Sequence, residues 1–111
     1  MIQREIKPMG LDYVILVQGG KAHIGTSVVA VPYEKDGGWH VTLSTYNLTS
    51  HKDHIVAQQY AKALSLLTHH VTVCVCGIHF DAIQPETIDA ILDWVKQDIE
   101  QMRKEFEHEQ N

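Results

Sequence analysis

Between Val71 and Asp81 the chain reads Val-Thr-Val-Cys-Val-Cys-Gly-Ile-His-Phe-Asp. The run up to Cys76 is β-branched and cysteine in character, and it predicts a strand buried on both faces. A strand of that kind sits inside a sheet, so the rest of the chain must cover it. Gly77 then permits a backbone geometry or a close approach that a side chain would block. His79 and Asp81 follow directly, so a stiff central strand aims two polar, titratable residues at one edge of the domain.

The remaining pattern predicts three further strands and two helices. Leu11–Gln18 alternates as a strand, and Gly19-Gly20-Lys21 reads as a tight turn after it. Ala22–Tyr33 is the next strand, with Gly25 marking a bulge or a close approach. Pro32 implies that the far end of this strand lacks one ladder partner. Asp36-Gly37-Gly38 is a hairpin signal, and Trp39–Leu48 follows as a strand. Ser50 through Asp53 has capping-box form, opening a helix that runs to about Thr68. Its apolar stripe is Val56, Tyr60, Ala63, Leu64 and Leu67. Pro85 suits the first turn of a second helix, whose seam is Ile88, Leu92, Val95, Ile99, Met102 and Phe106. Trp94 lies off that seam, free to cover an edge or a partner. Met1–Pro8 reads as a polar lead-in, and the charged tail from Arg103 as fraying. The expected fold is α+β, in the order β-β-β-α-β-α. It has a single mixed four-stranded sheet, with both helices on one face.

With 111 residues the chain is expected to form one domain with one core, spanning 1–111. A formal net charge of −5 disfavours nonspecific nucleic-acid binding. No apolar run is long enough for a membrane helix, and the first residues have no signal-peptide apolar region, so the cytoplasm is expected. Cys74 and Cys76, two apart on a strand, are expected to be small core residues, not a disulfide or a zinc site.

Following strand direction brings distant residues to one edge. Gly19, Gly20, Lys21, His23 and Gly25 lie there. His51, Lys52 and Asp53 emerge there at the start of the first helix, and His79 and Asp81 after the buried strand. Helix N-termini, glycine N–H groups and lysines make that edge a candidate phosphate or carboxylate site. Three histidines and two carboxylates in one place also leave a metal-dependent enzyme open. A third reading is a dimeric assembly module whose edge binds protein alone. No Ser or Cys nucleophile has an evident base beside it.

Three pieces of sequence carry a resemblance: Gly19-Gly20-Lys21-Ala22-His23-Ile24-Gly25, His51-Lys52-Asp53, and Gly77-Ile78-His79-Phe80-Asp81. In this order they resemble the small prenylated-flavin chaperones typified by the D subunit of gallate decarboxylase, the LpdD-like proteins. The resemblance implies an accessory protein and not an enzyme. It implies FMN or prenylated FMN as the cofactor, a UbiD-type decarboxylase as partner, a flavin prenyltransferase as a second one, and a homodimeric fold like that of proteasome assembly chaperones. It carries a ligand-edge role to Gly19, Gly20, His23, Gly25, His51, Asp53, His79 and Asp81. Ala22, Thr49-Ser50 and Gln84 depart from the family pattern, which bears on loop stiffness.

Overall fold

The structure is a computed structural model and describes residues 2–48, 53–81 and 83–109. Its strands are β1 (Ile2–Met9), β2 (Asp12–Gly20), β3 (Thr26–Lys35), β4 (Gly38–Asn47) and β5 (Thr72–His79). Its helices are α1 (Asp53–Thr68) and α2 (Pro85–Glu109). The sheet order is β1-β2-β5-β3-β4, with β2 and β5 parallel and every other pair antiparallel. The buried run through Cys74 and Cys76 is thus the central strand, paired on both sides.

The sheet therefore has five strands, not four. The extra strand is β1, in the segment expected to be a polar lead-in. It does alternate, with Ile2, Arg4 and Ile6 half-buried between exposed Gln3, Glu5 and Lys7. Arg4 breaks the apolar signal at a core-facing position, and only a distant partner makes that placement tolerable. Its guanidinium forks onto Asp98 of α2, Nε to Oδ2 at 2.9 Å and Nη2 to Oδ1 at 3.1 Å. A bidentate pair of this geometry satisfies both ions out of bulk water.

Local turn chemistry explains the hairpins. Asp36 and Gly37 both take positive φ, 53° and 78°, as a two-residue turn matched to strand twist requires. β3 pairs with β5 only through Ala30, so Pro32 falls where β4 alone is a partner. Its missing N–H costs no ladder bond on the β5 side.

Both helices cover the face that carries Ile15, Val17, Cys74, Cys76, Val28 and Ala30. Val56, Tyr60, Leu64, Val95, Met102 and Phe106 meet them in one core. Each such fully buried large side chain contributes about 1.5–3 kcal/mol. The expected fraying from Arg103 does not occur: α2 continues to Glu109, because Phe106 is buried and packs edge-on against Tyr13 at 5.3 Å. No described helix is long and apolar enough to cross a membrane.

Candidate functional site

β2 and β5 end side by side, Gly20 opposite His79. β3 starts at the same end, Thr26 opposite Cys76, and the loop 21–25 bridges β2 to β3 across the top of β5. Gly77 makes that crossing possible. A Cβ there would stand 1.5 Å from the backbone oxygen of His23. The His23 backbone therefore lies directly on Gly77, and its ring sits 5.7 Å from that of His79, tilted by 47°.

Lys21 closes the other side. Its Nζ donates to Asp81 Oδ2 at 2.7 Å, and His79 Nε2 lies 3.4 Å from Asp81 Oδ1. Lys21 and Asp81 are well exposed, so this pair is a surface bridge of small stabilising value. The result is a rim of two imidazoles, an ammonium and a carboxylate facing solvent.

Asp53 reaches the same end but turns inward. It is buried, and its Oδ2 accepts the Ile78 N–H at 3.5 Å. A Cβ on Gly25 would meet that oxygen at 2.2 Å, which is the close approach that Gly25 was expected to mark. Asp53 ties the start of α1 to β5 and to the loop before β3. His51 and Lys52 lie outside the described residues.

Gly19 and Gly20 differ from expectation. They are the last residues of β2, not a turn, because β1 and β5 extend the ladder to them: Gly19 faces Ile2 on one side and Ile78 on the other. The Lys21 N–H is also engaged, donating to the His79 carbonyl at 2.9 Å. Any anion at this rim thus meets side chains before glycine amides. Gly20, at φ 65°, ends the strand where a Cβ would fall 2.0 Å from the His79 carbonyl oxygen.

Sequence reasoning missed an apolar cleft beside the rim. Ile2, Phe80, Thr87, Ala90, Ile91 and Trp94 line a space of about 390 Å³. Phe80 joins it to the rim, standing in sequence between His79 and Asp81. Trp94, off the α2 seam, forms its far wall. The available signal was Phe80 itself, an aromatic inside the polar motif.

Among the described residues, no three His, Cys, Asp or Glu side chains are grouped to hold a metal ion. Both cysteines are buried and free, as expected. Burial, with Asp53 nearby, pushes the Cys76 thiol up to about 12, and burial beside Cys76 raises Cys74 well above its ordinary range. Neither presents a thiolate.

This five-stranded sheet with two helices is the fold of a proteasome assembly chaperone. One solved chain, from a crystal structure described as a novel chaperone complex for yeast 20S proteasome assembly, aligns with a TM-score of 0.57 at 11% identity. The alignment covers 95% of this chain and 98% of that one. At that identity the likeness defines the fold alone. No curated protein matches in sequence. The family is defined by a different comparison: the model of the prenylated flavin chaperone LpdD-like domain matches residues 1–107, and the chain belongs to that family. It is accordingly a chaperone and not an enzyme.

Proposed function

We propose that this chain binds prenylated FMN, or FMN, and helps the cofactor reach or mature in a UbiD-type decarboxylase. In this reading it works in the cytoplasm as a homodimer and receives flavin made by a flavin prenyltransferase. The observation that carries the reading is the junction of polar rim and apolar cleft at Phe80. A flavin mononucleotide has the same division: an apolar ring edge, a polar heterocycle and an anionic phosphate. A site of this kind pairs apolar lining with a few placed polar groups. The rings would lie in the cleft against Phe80 and Trp94. Lys21, His23 and His79 would face the phosphate or the polar ring atoms, with Asp81 orienting Lys21 and His79. His51 belongs to the same proposal through the resemblance, and Lys52 as a positive charge expected at that edge. Asp53 and Gly25 would position the loop, and Gly19 and Gly20 would hold the strand end beneath it.

The test is the absorption spectrum of the protein purified after co-expression with a flavin prenyltransferase. A flavin band at near-stoichiometric level supports the reading. Colourless protein that also fails to take up added flavin mononucleotide overturns it.

A further inference from the structure

α1 and α2 pack against the same face of the sheet, and a trough lies between them. On α1 it is lined by Gln59, Lys62, Ala63 and Leu66, and on α2 by Lys96, Ile99, Glu100 and Arg103. Both sets recur at i, i+3, i+4 and i+7, so each is one continuous stripe along its helix. The space between the stripes is about 530 Å³, larger than the cleft at Phe80. Ala63 and Ile99 are buried at its floor, and Leu66 is half-buried. Lys62, Lys96, Glu100 and Arg103 are exposed.

The charge in this trough runs against that of the chain. The sequence has 14 acidic and 9 basic side chains. The trough takes three of the nine cations and a single carboxylate, Glu100, which Arg103 holds through Nη1 at 2.5 Å. Lys62 and Lys96 make no ion pair among the described residues. Other cations of the chain are paired, Arg4 with Asp98 and Lys21 with Asp81. Asp93 and Glu107 continue the α2 stripe one turn beyond either end of the trough. The basic stretch is therefore bounded: from Lys96 to Arg103 it runs about 10 Å along the helix.

We propose that this trough docks an acidic amphipathic helix of a partner protein. A pair of helices offers no unpaired strand edge, so an extended peptide finds no backbone ladder there. A third helix does fit the groove between two. Its apolar ridge covers Leu66 and the aliphatic stems of Lys62, Lys96 and Arg103. Its carboxylates flank that ridge and meet the cationic heads at the rim. Asp93 and Glu107 repel acids placed beyond the central two turns, so they set the register of the partner along α2. A nucleic acid, negative along its whole length, meets those carboxylates at both ends, and the net charge of −5 opposes it further. The proposal does not depend on the flavin reading. The trough lies between the helices, whereas Lys21, His79 and Asp81 lie at the strand ends.

The experiment is fluorescence anisotropy with two labelled synthetic peptides of about 18 residues, each a helix with one leucine ridge. One carries glutamate beside the ridge in its central two turns, and the other carries lysine there. The full chain is compared with the double variant Lys62→Glu and Lys96→Glu. Both side chains are exposed and unpaired, so the far-ultraviolet circular dichroism spectrum of the variant matches wild type. Wild type binds the glutamate peptide in the micromolar range, and the double variant binds it at least about tenfold more weakly. The double variant in turn prefers the lysine peptide, a gain that misfolding does not produce. Wild type that binds neither peptide, or both equally, overturns the proposal. Unchanged affinity for the glutamate peptide in the double variant overturns the choice of trough. Phosphatidylserine vesicles or a DNA oligonucleotide that bind wild type more tightly than the peptide, and lose that binding in the variant, overturn the protein occupant.

Discussion

Two polar clusters form around this sheet, each pairing an aspartate with a basic side chain, in opposite surroundings. At the top rim Lys21, Asp81, His79 and His23 face solvent. On the helix side Arg4, Asp98, Tyr60 and Glu105 are bound to one another. Tyr60 Oη donates to Asp98 Oδ2 at 2.6 Å, Arg4 forks onto the same carboxylate, and Arg4 Nη1 reaches Glu105 at 3.1 Å. Burial alone would raise the Asp98 carboxyl, but the hydrogen bonds from Arg4 and Tyr60 outweigh it and hold the group below its usual range. The Asp98 hydrogen bond raises Arg4, and burial followed by the same carboxylate raises Tyr60. The inner cluster spends its hydrogen-bonding capacity on joining β1, α1 and α2. At the rim the bridge between Lys21 and Asp81 lies at the surface, and both side chains stay well exposed. Charge type does not separate the cluster that ties elements together from the one left at the surface; solvent access does.

The largest test of that contrast is Asp98→Ala. It leaves Arg4 largely buried beside Tyr60 with its main partner gone, and about 3 kcal/mol of stability is lost in urea unfolding. The wild type shows the same dependence in acid. Because the folded Asp98 value is depressed, its contribution is present above the ordinary carboxylate value of about 4 and disappears as pH falls through the folded one. Asp98→Asn therefore loses less on acidification below about pH 4 than wild type does. Parallel acid profiles for the two would refute the assignment.

Next in size is Gly77→Ala, where a Cβ meets the His23 backbone. Backbone cannot yield as a flexible side chain does, so about 2 kcal/mol is expected, with displacement of the 21–25 loop. A neutral Gly77→Ala would show that the loop does not depend on this contact.

The paired change His23→Ala and His79→Ala reverses the pattern. Stability in urea shifts by less than about 0.5 kcal/mol per site. Affinity for flavin mononucleotide falls about tenfold, or about 1.4 kcal/mol. Quenching of Trp94 fluorescence reports the binding, with Trp39→Phe as background, since Trp39 lies at the far end of the sheet stacked on His69. Unaltered affinity with lost stability would make the rim structural.

The smallest effect belongs to Lys21→Ala. An exposed bridge contributes at most about 1 kcal/mol, and here about 0.3 kcal/mol is expected in thermal unfolding. A loss above about 1 kcal/mol would place Lys21 with the inner cluster.

Much of the fold was legible because the relevant signals are local. The buried run of β5, the Asp36-Gly37 turn, and the stripes of α1 and α2 depend on neighbours within a few residues. Strand direction then sufficed to bring His23 and His79 to one end. The carry-over of ligand roles to these residues is a separate matter, and it remains the proposal made above.

Sequence alone determined the central strand, the two amphipathic helices and the burial of both cysteines, each from side-chain pattern. It marked Gly25 and Gly77 as places of close approach, and the fold supplied what approaches: Asp53 at one and the His23 backbone at the other. Tertiary structure alone decided that Met1–Pro8 contains a strand, since Arg4 is tolerable facing the core only where Asp98 arrives from α2. It decided that Gly19 and Gly20 are ladder residues, because β5 pairs with both, and β1 with Gly19, past the turn signal in β2. It also created the cleft of Ile2, Phe80, Ile91 and Trp94, whose walls come from three parts of the chain that no periodicity connects. Non-local packing chose these features, and a pattern read along the chain carries no record of which distant surface it will meet.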